Sequence, residues 1–162
     1  MLAFDPIEEA QRNWRRQGWG AVDAMAAATS ITRAHQIVLG RINDALAPLD
    51  LNFSRFEALA LLSFTRNGEL PLGKMGDRLQ VHPASITNTI DRLERDGLVE
   101  RVGHPTDRRT TLARITDSGR AAAEAGAAAL AEIAFGLDGV PFDAVKRLDA
   151  DITELRRRAG DF

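Results

Sequence analysis

The sequence has no cysteine and no tyrosine, only three histidines and two tryptophans, and no long apolar run. Without cysteine there can be no disulfide framework, no thiolate metal site and no thiol redox sensor. His35, His82 and His104 are scattered, whereas a metal site needs clustered ligands, so no metal ligand is expected. No stretch approaches the roughly 20 apolar residues that a membrane-spanning helix requires. The opening residues, MLAFDPIEEA, are acidic and lack an apolar signal core, so a soluble, cytoplasmic protein with no membrane partner is expected. A glycine-rich phosphate loop, a nucleophile elbow and an HExxH helix are also missing. The expectation is therefore a protein that is not an enzyme, with no catalytic residue and no cofactor.

What is present is a chain of 162 residues, 44% of them hydrophobic and 6% aromatic. That is enough for a core built mainly from Leu, Ile, Val and Ala. The formal net charge is −2, but it is unevenly spread. Residues 72–115 carry eight Lys/Arg against six Asp/Glu, while the remainder carries 13 against 17. A basic island in an acidic chain can present a positive face without a positive total.

Periodicity places helices along most of the chain. Residues 7–17 form a short helix stopped by Gly18 and Gly20, and residues 21–47 a long one with Ile31, Val38, Leu39, Ile42 and Leu46 as its stripe. The run SRFE at 54–57 has the form of a capping box, with Phe56, Leu59, Leu62 and Phe64 on the apolar face of the helix it opens. Eight of the eleven residues from Ala121 to Ala131 are Ala, in a helix expected over 117–136 and broken by GVP at 139–141. In the last helix, 142–159, Phe142, Val145, Leu148, Ile152 and Leu155 alternate by threes and fours, as in a coiled-coil seam.

The informative region lies between these helices. Segments 72–79 and 83–96 are two short helices joined by a tight turn, with Pro83 at a helix start and Ile86, Ile90 and Leu93 as the buried stripe. Ala84, Ser85, Thr87 and Asn88 are left on the open face, with Asp91 and Arg92 a turn later; of these all but Asp91, together with Pro83, are candidate DNA contacts. Small and polar side chains near a helix start allow close approach to a DNA major groove, and Asn88 has the geometry to pair bidentately with adenine. The alternative for this face is ordinary solvated surface. LVERV (98–102) and TTLARI (110–115) then form a hairpin around a loop containing Asp107, Arg108 and Arg109. Two adjacent arginines in an exposed loop repel each other, so an external anion is the natural partner. One of them can enter a minor groove and the other can take a phosphate, with Asp107 orienting Arg109.

Residues 82–119, HPASITNTIDRLERDGLVERVGHPTDRRTTLARITDSG, resemble the MarR family of winged helix-turn-helix regulators, with the resemblance extending more loosely over 21–159. It implies a mainly α fold with a small β-hairpin wing: N-terminal helices over 1–50, a winged helix-turn-helix over 51–116, and dimerisation helices over 117–162. It implies a homodimer that binds double-stranded DNA at a pseudopalindromic operator, as a repressor released by a small aromatic or phenolic acid. The ligand pocket would use residues 25–40 and 53–64, with Trp14, Trp19 and His35 as candidate ligand-binding residues. The plainer roles are packing anchors for the two tryptophans, and a core or interface position for His35. Two positions depart from the family pattern: Gln80 where many relatives carry Gly, and Asn88 where many carry Arg. The competing reading is a helical dimer that binds a ligand or another protein and has little affinity for DNA.

Overall fold

The computed structural model describes residues 2–107 and 110–162, so the wing-tip candidates Arg108 and Arg109 lie outside the described residues. Contacts divide the chain into two compact units, residues 1–41 and 42–162. In the first unit, α1 (Pro6–Arg16) opens on Asp5, whose carboxylate accepts the Ile7 N–H at 2.8 Å. Glu8 and Glu9 in its first turn and Arg15 and Arg16 in its last complement the helix dipole. Helix α2 (Val22–Leu46) has 25 residues and so runs for about 37 Å. Its expected stripe is realised only at the C-terminal end. Ile42 and Leu46 are buried, Val38 and Leu39 half-buried, and Ile31 exposed. His35 is exposed as well, not in the core.

The second unit takes in the end of α2 and continues with α3 (Phe53–Ser63), where the capping-box reading of SRFE is overturned. The cap is Asn52, whose side-chain oxygen accepts the Arg55 N–H at 3.0 Å, and Asn43 accepts the Phe53 N–H at 2.9 Å. With those donors satisfied the helix starts two residues earlier, so Ser54 lies inside the first turn. Phe56, Leu59 and Leu62 are buried as expected. Phe64 is not: it follows the helix as its C-cap and is 83% exposed.

The hairpin proves to be part of a three-stranded antiparallel sheet. Strands β2 (Val99–Gly103) and β3 (Thr111–Ile115) pair as expected, and β1 (Glu69–Pro71) adds on the far side of β3, giving the order β1-β3-β2. Arg114 at the centre holds both neighbours, donating to Glu69 at 2.8 Å and to Glu100 at 3.5 Å. The hydrogen bond to Glu69 raises its pKa further above the ordinary arginine value. Helices α4 (Leu72–Leu79) and α5 (Pro83–Arg95) form the helix-turn-helix. Met75 from α4, Ile90 and Leu93 from α5, Leu59 and Leu62 from α3, and Val99 from β2 are fully buried in one core.

Helix α6 (Asp117–Glu132) lies across α3. Gly126 permits this, and Gly119 lets the start of α6 approach the turn after α5. A Cβ on Gly126 would come within 2.7 Å of the Phe56 ring, and one on Gly119 within 2.0 Å of the Leu98 carbonyl oxygen. The helix ends before the expected GVP, because Ala134 and Phe135 adopt left-handed backbone conformations. Helix α7 (Phe142–Arg158) has no buried residue. Among the described residues no helix is long and apolar enough to cross a membrane.

Candidate nucleic-acid interface

The site is assembled from the turn after α4 outward. Gln80 caps α4 in the left-handed region, at φ 54° and ψ 40°. This is the conformation glycine adopts without strain, and a glutamine holds it at a cost of about 1 kcal/mol or more. Its side-chain amide donates to Asp161 at 2.9 Å. His82 then caps α5, accepting the Ala84 N–H on Nδ1 at 3.2 Å, and Pro83 occupies the first turn.

Because Ile86, Ile90 and Leu93 are buried, the rotation of α5 is determined. Pro83, Ala84, Ser85, Thr87, Asn88 and Arg92 are all exposed. Thr87 donates its hydroxyl to the Pro83 carbonyl at 3.0 Å, leaving its methyl and its oxygen lone pairs for outside contacts. The first two turns carry no acidic residue, and the acids Asp91, Glu94 and Asp96 come later. Arg55 of α3 pairs with Asp96, and Arg101 of β2 pairs with both Asp91 and Glu94.

The wing leaves α5 through a joint centred on Thr116. Its hydroxyl donates to the Gly97 carbonyl at 2.8 Å and accepts the Gly119 N–H at 3.0 Å, while its own N–H donates to the Leu98 carbonyl at 3.1 Å. One threonine thus caps α6 and holds it to the turn after α5. Within the wing loop, Asp107 accepts the Thr110 hydroxyl at 2.6 Å and His104 donates its N–H to the Thr110 carbonyl at 3.2 Å. The orienting role expected of Asp107 toward Arg109 falls outside the described residues.

Trp14 and Trp19 meet edge to face at 4.7 Å, and the Trp14 indole N–H donates to the Gly20 carbonyl at 2.9 Å. These two candidates for ligand binding therefore come together with each other, while His35 stands apart on α2. A separate cavity of about 640 Å³ lies wholly within residues 42–162. Phe53, Phe56, Phe64 and Phe135 supply aromatic walls, Leu79 closes the α4 side, and Glu57, Arg120 and Glu124 are its charged members. Burial raises the Glu57 pKa above the usual carboxylate value. Residues 53–64 had been expected to contribute to such a pocket, but Arg120 and Phe135 had not. Each is an isolated residue of ordinary helix-end sequence with no periodic signal. Arg101 was also missed, because nothing in GLVER distinguishes a partnered arginine from a solvated one. Among the described residues no group of three or more His, Asp or Glu could hold a metal ion.

Two short helices with an exposed second-helix face, followed by an antiparallel wing, define a winged helix-turn-helix protein. The MarR family model matches residues 51–111. The solved structure of Sco5413, a MarR family transcriptional regulator from Streptomyces coelicolor, is 47% identical and superposes with a TM-score of 0.81, covering 88% of this chain and 99% of that one. MhqR, an HTH-type transcriptional regulator of Bacillus subtilis, is 36% identical over 89 residues, which are 55% of this chain and 60% of MhqR's length. CouR from Rhodococcus jostii RHA1, solved bound to p-coumaroyl-CoA, is 26% identical with a TM-score of 0.68, over 80% of this chain and 90% of CouR. The chain belongs to the MarR family of transcriptional regulators.

Proposed function

We propose that the protein is a homodimeric repressor that binds a pseudopalindromic operator in double-stranded DNA and is released by a small aromatic or phenolic acid. The observation that carries the reading is the α5 face: Pro83, Ala84, Ser85, Thr87 and Asn88 stand exposed, on two helical turns that carry no acidic residue of their own, beside the wing. In this reading Asn88 reads a base edge, Ser85, Thr87 and Arg92 contact bases or phosphates, and Arg108 and Arg109 meet phosphate and minor groove with Asp107 behind them. The winged part spans 51–116, and the dimer forms through the helices of 1–50 and 117–162.

Two features support the remaining parts. On α7, Phe142, Leu148 and Leu155 are 70%, 47% and 50% exposed, an apolar row suited to a second copy of the helix. The aromatic walls of the cavity suit a planar ring, and Arg120 offers a cation to its carboxylate. That CouR carries an aromatic acyl thioester fits a ligand of this class. The test is selection of bound duplexes from a random pool, repeated with simple aromatic acids. Enrichment of a two-fold-related site, depleted by one of those acids, is expected. If no sequence is enriched, the protein is instead a helical ligand-binding or protein-binding dimer with little DNA affinity.

A further inference from the structure

The acids of α5 pose an electrostatic problem. Asp91 and Glu94 are three residues apart and so share one face of the helix, where like charges repel each other. They follow directly on Asn88, on an element that the DNA reading lays against a polyanion. A pair of bare carboxylates there would oppose docking.

The geometry of Arg101 answers this. Its Nη2 donates to Asp91 Oδ1 at 2.5 Å, its Nη1 donates to Glu94 Oε2, and its backbone N–H donates to Glu94 Oε1 at 3.1 Å. One residue of β2 therefore holds both acids through three hydrogen bonds. Its side chain is only 26% exposed, against 47% for Asp91 and 39% for Glu94. Partial burial alone would lower its pKa, but the hydrogen bonds and charges of the two carboxylates carry it above the ordinary arginine value, so the guanidinium is always charged. A planar fork committed to two carboxylates has little left to offer a phosphate.

We infer that Arg101 is a positioning residue for DNA binding: it masks Asp91 and Glu94 from the DNA backbone and holds the first strand of the wing against α5, without itself touching DNA. The inference rests on the DNA-binding reading above. It assigns an essential cation to the base of the wing, apart from the arginines of its tip.

The test is a thermodynamic cycle on the full-length protein with its selected duplex, measured by fluorescence anisotropy across a salt series. Arg101→Gln is expected to weaken binding by roughly tenfold to a hundredfold, because two unmasked carboxylates then face the phosphates. Adding Asp91→Asn and Glu94→Gln to that variant is expected to restore affinity to within about threefold, so that the substitutions are strongly non-additive. An arginine that bound phosphate directly would give a different result. The salt slope would fall by about one, and removing the acids would help equally in both backgrounds; that outcome overturns the inference. So does an Arg101→Gln protein that binds normally. Should Arg101→Gln fail to fold, Asp91→Asn with Glu94→Gln alone decides the matter. Masking expects affinity to hold or rise, and a fall shows a structural tether only. If the unaltered protein enriches no duplex at all, the DNA reading itself fails, and the inference with it.

Discussion

The winged lobe and helix α7 treat the same kinds of side chain in opposite ways. In the lobe, one apolar stripe from each of α3, α4, α5 and β2 meets in one core, with Leu59, Leu62, Met75, Ile90, Leu93 and Val99 all fully buried. In α7 a row of equal regularity has no buried member. Charges follow the same division. Arg55 and Arg114 tie together elements distant in sequence and Arg101 ties β2 to the preceding α5, while the pairs of α7 join Glu154 to Arg157 and Arg158, and Arg156 to Asp161. The lobe is finished by its own tertiary contacts, whereas the apolar row of α7 stays exposed or half-buried. A periodic stripe thus shows which side of a helix is apolar without showing whether the same chain covers it.

The sharpest way to break this comparison is at the lobe's tightest joint. Gly119→Ala drives a methyl into the Leu98 carbonyl and against Ile115, neither of which is a flexible side-chain end. A loss of about 3 kcal/mol is expected, a fall in Tm of roughly 6–12 °C by calorimetry. A variant that melts like the parent would show that α6 and the sheet are not rigidly joined. At α7 the expected effect is on assembly. Leu148→Asp combined with Leu155→Asp should convert a dimer into a monomer by light scattering while the lobe keeps its helical circular dichroism. A persisting dimer would move the interface elsewhere.

A smaller effect is expected on the open face of α5. Asn88→Ala should cost about 1–3 kcal/mol on the preferred duplex and much less on duplexes altered at one base pair of each half-site. A uniform loss over all sequences would make Asn88 a backbone contact. The smallest effect concerns Glu57. Burial raises its folded pKa, so its charged form is penalised above that pKa, and the penalty disappears as pH falls below the ordinary carboxylate range. Glu57→Gln should therefore raise Tm slightly at pH 7 and leave it unchanged near pH 3. An equal gain at both pH values would show that charge is not the cause.

Much of the lobe was legible in the sequence because its signals are local. Three apolar residues in α5 determine which side chains face out, Pro83 marks where the helix begins, and the short runs rich in branched residues at β2 and β3 announce a hairpin. The failures came where distant residues competed. Ser54 has the right spacing for a cap, but Asn52 and Asn43 reach the helix start first. Strand β1 is three residues long and ends in proline, so it carries no pattern of its own and exists because β3 has a free edge to pair with. Phe64 continues the spacing of α3 but falls one residue beyond its end, where the core no longer reaches it.

By itself the sequence determined the helices, the turn between α4 and α5, the wing and the family, since each follows from residue type and short-range spacing. Only the tertiary structure decided that Arg101 belongs to Asp91 and Glu94, that Thr116 joins α6 to the turn after α5, and that Gly119 must lack a side chain. Those are contacts between residues brought together by folding. Charge, hydrogen bonding and steric fit across such gaps depend on distances in space, which residue spacing along the chain does not specify.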